Sequence, residues 1–343
     1  MQRGGSLLIL TQAVDTKDPV LGFFHAWIHE LAARHESVSV VCLKEGAHTL
    51  PENVRVYSLG KESGSSRGKY LVRLCKYVWA LRDHKRVFVH MNEEYVLLAG
   101  WFWIISGARI VLWRNHKMGS WRTRIAVLLS DRVCHTSTDA YVAYSKKALR
   151  MPIGIDTKLF IPPQTQTEPK SVLFFGRLDR VKRPELFVEA VRDLVKRNVA
   201  VQALICGSPT YRNDPFAHAL RSNAPKEIVF RESVEHREAP KLFALHSIYV
   251  NLTPSGSFDK TIGEALASGC VLVAANENVR DVIHPDLFVD PLDQAHATGA
   301  LERALALTAE ERRRLSENGR AYVEERHSLR LLADTLCRTL ATL

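Results

Sequence analysis

The chain lacks the short patterns that directly assign many nucleotide-binding and metal-binding proteins. Its 343 residues contain no Walker A sequence, no GxGxxG dinucleotide fingerprint and no Asp-x-Asp triplet. The six cysteines include no CxxC pair, so we expect reduced and mostly buried thiols rather than disulfides. No secretory signal opens the sequence, because a strand is predicted directly after Ser6. Together these features favour a cytoplasmic protein.

The hydrophobic run that most suggests a membrane is short. Residues Tyr95 to Ile105 form an uncharged run of eleven residues, whereas a helix needs about 20 apolar residues to span a bilayer. We therefore interpret this run as a buried helix, with a helix lying at a membrane interface as the alternative.

Composition and charge are those of a globular protein with a basic first half. With 46% hydrophobic and 24% charged residues, a chain of this length is expected to form two domains or one large one. The whole net charge of +10 lies in residues 1–165, which contain 23 Lys or Arg and 13 Asp or Glu. An anionic membrane surface is a natural partner for such a half, and so is a nucleic acid or an anionic acceptor. Nucleic acid is not predicted, because the basic residues do not interleave with aromatics as in known binding modules.

A first anion-binding pattern occurs at residues 171–182, SVLFFGRLDRVK. An apolar strand ends at Gly176, and Arg177 and Lys182 follow on a loop before a helix that begins near Pro184. Ligands bind at the carboxyl ends of strands in open α/β sheets, so these two cations are placed to clamp an anion. The alternative is a loop with two ordinary basic residues.

A second such pattern occurs at residues 255–276, SGSFDKTIGEALASGCVLVAAN. It predicts a turn, a short helix from about Asp259 to Ala267 and a β-branched strand. The free N–H groups of the helix amino terminus suit a phosphate, and Lys260 adds a mobile cation there. Glu264 brings an acid near the same pocket. The alternative is a solvated glutamate on an ordinary crossover helix.

The two segments together resemble the nucleotide-sugar-binding half of family 4 retaining glycosyltransferases. The resemblance implies that Arg177 and Lys182 hold the donor diphosphate and that Glu264 holds the ribose. Gly256 stands where the family has the first Glu of a Glu-x7-Glu pair, and Asp259 or the nearby amides are candidates to replace it. The further residues expected to contact the donor are Gly176, Gly207, Gly256, Ser257, Phe258, Asp259, Lys260 and Thr261.

The first half carries weaker candidates. The resemblance places a glycine of a loop near donor and acceptor, which here is Gly22, and a histidine at a strand end, which here is His116. His25 and His29 are four residues apart on a predicted helix, but no HExxH pattern accompanies them, so packing or acceptor contact is favoured over metal binding. The Gly/Ser-rich stretch Lys61 to Lys69 is predicted to be a loop.

The resemblance implies an α/β protein with the GT-B fold, in which two Rossmann-like domains with parallel sheets face a cleft. We predict an acceptor-binding domain at 1–163, a donor-binding domain at 164–326 and a helix at 327–343 that crosses back to the first domain. The boundary lies in the polar and proline-rich stretch 161–169.

The expected activity is transfer of a sugar from a nucleotide-diphosphate donor to an acceptor hydroxyl, with retention of configuration and no obligatory metal or cofactor. The acceptor would be a carbohydrate or a lipid-linked molecule, and the protein would act in cell-surface polysaccharide or glycolipid synthesis, in the cytoplasm or peripherally on the membrane. Two alternatives stay open. One is a GT-B nucleotide-sugar epimerase or hydrolase, and the other is a non-catalytic nucleotide-sugar-binding protein.

Overall fold

The computed structural model describes residues 4–163, 168–211, 213–254, 256–290 and 292–343. Part of the predicted linker, residues 164–167, and Ser255 of the predicted turn lie outside the described residues. The chain divides into two compact units. The first contains residues 1–154 and 329–343, and the second contains residues 155–328.

The first unit is built on a parallel sheet of seven strands in the order β3-β2-β1-β4-β5-β6-β7. Its strands are β1 (Leu7–Val14), β2 (Val38–Glu45), β3 (Val54–Ser58), β4 (Arg86–His90), β5 (Arg109–Trp113), β6 (Arg132–His135) and β7 (Ala148–Arg150). Its helices up to this point are α1 (Phe24–Ala32), α2 (Arg67–Ala80), α3 (Glu94–Ile105) and α4 (Trp121–Leu129).

The central strands of this sheet are buried on both faces, as expected of parallel strands covered by helices. One face packs against α1 through Phe24, Trp27 and Ile28. The other face packs against α2, α3 and α4 through residues such as Val96 and Trp103. The sheet is therefore the middle layer between two apolar clusters.

Helix α3 corrects the interpretation of the uncharged run as a buried helix. Val96, Ala99 and Trp103 face the sheet and are buried, whereas Leu98 and Ile105 on the opposite side are exposed. The prediction failed because this helix is apolar on every side, so its sequence has no polar stripe to mark the outer face.

The predicted loop at 61–69 is shorter than expected. Turns occupy residues 61–64, and α2 begins at Arg67, where the Ser66 hydroxyl caps the backbone N–H of Lys69. Serine is a strong helix-capping residue, and this local signal was obscured by the surrounding glycines.

The second unit is built on a parallel sheet of five strands in the order β10-β9-β8-β11-β12. Its strands are β8 (Glu168–Phe175), β9 (Gln202–Cys206), β10 (Ile228–Arg231), β11 (His246–Asn251) and β12 (Val271–Ala274). Its helices are α5 (Pro184–Lys196), α6 (Pro215–Ser222), α7 (Ala239–Leu245), α8 (Lys260–Ala267), α9 (Gln294–Leu305) and α10 (Ala309–Arg326).

The strand order of this second sheet reverses at β8. From β8 the chain moves outward through β9 to β10 and then returns to place β11 on the other side of β8. The carboxyl ends of β8 and β11 therefore flank a topological switch point, which is where open α/β sheets bind ligands.

The last helix, α11 (Leu329–Ala341), returns to the first unit and packs against α1. Residues 155–163 belong to the second unit rather than to the predicted first domain. Ile155 pairs with Ser328, and the Phe160 carbonyl accepts a hydrogen bond of 3.0 Å from Arg320. Across the described ranges, no helix is both long and apolar enough to cross a bilayer.

Candidate functional site

The centre of the candidate site is an ion pair between Lys182 and Asp259. Lys182 lies on the loop after β8, and its ammonium donates to the Asp259 carboxylate. The same carboxylate accepts hydrogen bonds from Asn251 Nδ2 at 3.0 Å and Thr261 Oγ1 at 3.1 Å. Burial alone raises the pKa of Asp259, but the Lys182 ammonium and these hydrogen bonds lower it to about 2. The Asp259 carboxylate is therefore ionised at neutral pH.

Asp259 is also the amino-terminal cap of α8. Its side chain accepts from the Thr261 N–H at 3.4 Å, and its backbone has the extended conformation typical of a capping residue. The carboxylate is thus engaged on both sides, by the helix and by the lysine. If Asp259 took the place of the first family glutamate, its contact with the sugar would have to compete with these existing contacts.

A tyrosine connects the start of α8 to the end of β8. The Tyr249 hydroxyl lies 2.7 Å from Thr261 Oγ1 and 3.2 Å from the Phe175 carbonyl oxygen, and it accepts from Asn251 Nδ2 at 3.1 Å. Burial raises the pKa of Tyr249 well above its ordinary value, and the Asp259 charge adds to this effect. The hydroxyl therefore stays protonated and connects the start of α8 to the end of β8.

Glycines let the ends of β8 and β9 touch. A Cβ atom on Gly207 would lie 1.8 Å from the Gly176 carbonyl oxygen, so no side chain fits there. Gly176 has a φ of 151°, a conformation that favours glycine, and its N–H donates to the Cys206 carbonyl. The two strand ends therefore approach each other closely, and the Lys182 side chain lies over Gly176.

Arg177 is the second cation of this loop and the more accessible one. Its side chain is 54% exposed, and its guanidinium contacts Asp179 at 3.2 Å and Thr210 Oγ1 at 3.4 Å. Thr210 in turn donates to Asp179 at 2.8 Å. The guanidinium is oriented by these neighbours while one side faces solvent.

Glu264 is 3% exposed and pairs with a histidine that the sequence did not reveal. Its Oε1 lies 3.0 Å from Nε2 of His236, which comes from the 3₁₀ turn His236–Glu238 between β10 and α7. Lys260, predicted to be a mobile cation, lies in the first turn of α8 and is half-buried. Burial lowers the pKa of Lys260 to about 8, although Glu264 opposes this shift.

The loop before α8 is shaped by contacts within the second unit. Gly256 has a φ of 154°, which favours glycine at this position. Ser257 is exposed, and its carbonyl accepts from Asn276 Nδ2 at 3.1 Å. Phe258 is buried and packs edge-on against His327, with ring centroids 5.0 Å apart. Phe258 thus anchors the loop, while Gly256 and Ser257 lie nearer its surface.

The remaining candidates belong to the first unit. Gly22 is buried in the turn before α1, where its N–H donates to the Asp18 carbonyl at 2.9 Å. His116 is exposed, and its Nδ1 accepts from the Met118 N–H at 3.0 Å. The ring nitrogens of His25 and His29 both hydrogen-bond with the backbone of Thr49. Over the residues that the structure describes, no group of three or more His, Cys, Asp or Glu side chains is arranged to hold a metal ion.

The structure thus brings Arg177, Lys182, Asp259 and Thr261 to one edge of the second sheet, with the glycine pair beside them. Sequence reasoning missed Tyr249, Asn251 and Asn276, which complete the network. Asn251 and Asn276 each follow or end a strand, and that position is a usable signal. Tyr249 has the sequence context of an ordinary strand residue, so nothing in the sequence indicated its contacts with Thr261 and Phe175.

Comparison with known proteins assigns a domain to this second unit. Residues 156–322 match the family described as Glycosyl transferases group 1. The chain is 22% identical over 175 residues to spore coat protein SA of Bacillus subtilis, covering 44% of this chain and 46% of that protein. It is 26% identical over 202 residues to the lipopolysaccharide core biosynthesis mannosyltransferase LpsB of Rhizobium meliloti, covering 54% of each. The chain therefore spans about half the length of these curated relatives.

Solved structures match over nearly the full length. Alr3699/HepE of Anabaena in complex with UDP superposes with a TM-score of 0.78 at 15% identity, covering 98% of this chain and 100% of that one. The sucrose-phosphate synthase of Thermosynechococcus elongatus superposes with a TM-score of 0.74 at 19% identity, covering 99% of each. Likeness at this level of identity shows a shared fold. The two parallel-sheet units are therefore those of a GT-B fold, and residues 156–322 match the Glycosyl transferases group 1 family.

Proposed function

We propose that the chain is a glycosyltransferase that moves a sugar from a nucleotide-diphosphate donor to an acceptor hydroxyl. The observation that carries the proposal is the ion pair of Lys182 with Asp259 at the switch point of the second sheet, within a Glycosyl transferases group 1 domain. Arg177 supplies a second, more exposed cation on the same loop. Such a pair of cations suits the two phosphates of a donor.

The chemistry follows from the charge that develops in the reaction. Breaking a sugar–diphosphate bond leaves negative charge on the diphosphate, and fixed cations stabilise that charge without reorganising. Asp259 holds Lys182 in position, and the diphosphate would share the ammonium with it. The first N–H groups of α8 add to the positive potential. Glu264 would contact the donor ribose, as the family resemblance implies.

The donor nucleoside to test first is uridine. Solved structures of Anabaena HepE contain UDP and UDP-glucose, and the structure described as "Trehalose-6-phosphate from E. coli" is bound with UDP-2-fluoro glucose. Those ligands belong to those proteins, and here they support UDP as a probe.

Retention of configuration and independence from metal are the finer parts of the proposal. Front-face attack by the acceptor hydroxyl would leave the diphosphate to accept its proton. The curated relative LpsB is named for lipopolysaccharide core biosynthesis, which supports a carbohydrate or lipid-linked acceptor and a role in cell-surface synthesis. A peripheral position at the cytoplasmic face of a membrane fits such an acceptor and the basic first half.

One observation keeps a second function in view. Gly256 replaces the first family glutamate, and Asp259 is already engaged by Lys182 and α8, so the sugar itself lacks an obvious acidic partner in this loop. A protein that binds the nucleotide without transferring the sugar would show this pattern.

The deciding experiment combines binding and turnover. Thermal shifts are measured with UDP and other nucleoside diphosphates for the wild type, for Arg177→Ala and Lys182→Ala, and for Lys196→Ala at the far end of α5 as a charge-matched control. A shift that the first two variants lose and the control keeps supports the donor site. Diphosphate release only with an acceptor supports transfer, whereas release with donor alone supports a hydrolase. Binding without any release supports the non-catalytic alternative, and no shift with any nucleotide contradicts the donor site.

A further inference from the structure

The outer side of α3 exposes large apolar side chains in a row. Leu98, Trp101 and Ile105 follow one another at helical spacing, and Trp101 is 61% and Ile105 85% exposed. Between Tyr95 and Ile105 the helix has no charged residue at all. A surface helix normally presents polar residues to water. The residues on this face are therefore unusual for a face that contacts only solvent.

The two neighbouring helices extend this apolar surface. Trp79 of α2 is 62% exposed and lies with its ring centroid 5.9 Å from that of Phe102 in α3. On the other side, Trp121 and Leu128 of α4 are exposed. We call the exposed surface of these three helices the outer helix face, formed by Leu71, Val72, Trp79, Leu98, Trp101, Ile104, Ile105, Trp121, Ile125 and Leu128.

Contacts at both ends of α4 show that it lies beside the first half of α3. Thr123 Oγ1 of α4 donates to Glu93 at 3.2 Å, just before α3 begins. Further along, Leu129 of α4 packs against Gly100, where a Cβ would lie 3.3 Å from its side chain. The exposed residues of the three helices are therefore parts of one continuous surface.

The charge around this apolar surface is mainly positive, although Glu94 at the start of α3 and Asp83 after α2 are exposed acids. No Asp or Glu occurs between Arg67 and Arg82 or between Arg114 and Ser130, the stretches that contain α2 and α4. The Arg82 guanidinium lies over the Trp79 ring at 5.1 Å, and the Arg122 guanidinium lies over the Trp121 ring at 5.6 Å. Two of the exposed tryptophans thus carry a cation on their rings.

We propose that the outer helix face docks on the surface of an anionic phospholipid bilayer. Tryptophan prefers the headgroup level, Leu and Ile suit the acyl boundary, and arginines pair with lipid phosphates. A second copy of the chain is a poorer occupant, because pairing two outer helix faces would bring basic helices together. The inference deepens the peripheral position proposed above and is independent of sugar transfer.

The test is flotation of the full chain with vesicles of phosphatidylcholine alone and with added phosphatidylglycerol. The variants are Trp101→Ser/Ile105→Ser for the apolar part and Arg82→Glu/Arg122→Glu for the charge, all at exposed positions. The matched control is Val229→Ser/Leu245→Ser, which removes two exposed apolar side chains from the second unit. The melting temperature of each variant, alone and with UDP, monitors the fold and the donor site separately.

We expect the wild type and the control to float with the anionic vesicles, and each face variant to lose about tenfold or more in partitioning. Equal flotation of all variants would overturn the assignment to this face. Absence of wild-type flotation would overturn membrane docking itself. Self-association of the wild type that Trp101→Ser/Ile105→Ser abolishes, without flotation, would assign the face to a second copy and overturn the proposal. None of these outcomes depends on whether UDP binds.

Discussion

Lys182 and Asp259 join two segments that are far apart in the sequence, the loop after β8 and the first turn of α8. The carboxylate caps the helix and at the same time holds the ammonium. One side chain therefore fixes the position of a cation and the direction of the helix amino terminus beside it.

Substitution Asp259→Asn should destabilise the protein in a pH-dependent way. It leaves the part-buried Lys182 ammonium without its counter-ion, which costs about 3 kcal/mol in the free energy of unfolding near neutral pH. Because the folded-state pKa of Asp259, about 2, is below its ordinary value of 3.8, the stabilisation is present above about pH 4. It is lost as the pH falls from there towards 2.

Urea unfolding of the wild type and Asp259→Asn over this pH range measures the effect. The difference between the two proteins should shrink steadily below pH 4. The control is Asp286→Asn, an exposed carboxylate whose loss should change the free energy of unfolding by at most about 0.5 kcal/mol. A difference that stays constant with pH would show that the ion pair does not stabilise the fold.

Replacement of Lys182 by Ala should lower kcat by about 10²- to 10³-fold, because a fixed cation near the leaving diphosphate is lost. Arg177→Ala should have a smaller effect, since its exposed guanidinium is partly screened by solvent. Steady-state kinetics with the donor identified by thermal shift measure both. Lys196→Ala should keep wild-type rates, and equal losses in all three variants would point to a general effect of charge.

Gly207→Ala should disrupt the contact between the ends of β8 and β9. The added methyl group would lie 1.8 Å from the Gly176 carbonyl oxygen, so the two strand ends must separate. We expect a loss of about 2 kcal/mol or more in stability, together with weaker nucleotide binding. Gly299→Ala in α9 is the control, because a Cβ there meets no atom within 4 Å and alanine favours a helix by up to about 1 kcal/mol. Similar behaviour of the two variants would contradict the close approach.

Glu264→Gln should weaken UDP binding by about tenfold or more and leave the binding of inorganic pyrophosphate unchanged. A carboxylate that accepts from ribose hydroxyls loses a charge-assisted hydrogen bond in this variant, whereas the cations that hold the phosphates are untouched. Calorimetry with both ligands tests the difference. An equal loss for pyrophosphate would instead assign Glu264 to a structural pair with His236.

Local signals predicted much of the second unit. Strand, glycine and proline positions placed α5, α8 and β12 close to their observed bounds and gave the end of β8, because caps and apolar runs act within a few residues. In the first unit the short strands β6 and β7 were missed, since three or four residues carry too little periodicity. The partner of Glu264 was missed for another reason. His236 lies 28 residues away, and only the packing of the turn before α7 brings them together.

The first unit was harder to predict. The sequence of α3 identifies a helix but not its exposed side, because exposure depends on which neighbours cover it. His116 stays a candidate on a surface loop, where its ring nitrogen is held by Met118. Gly22 likewise stays a prediction, because its position in the buried turn before α1 is also explained by the start of that helix.

The return of α11 to the first unit reverses the order in which the two units can be completed during synthesis. Five of its side chains enter the core beside α1, namely Leu329, Leu332, Ala333, Leu336 and Leu340. A ribosome translating this chain has released the entire sequence of the second unit before it reaches them. The unit that is made first therefore has part of its apolar core uncovered until residues 329–343 have been synthesised.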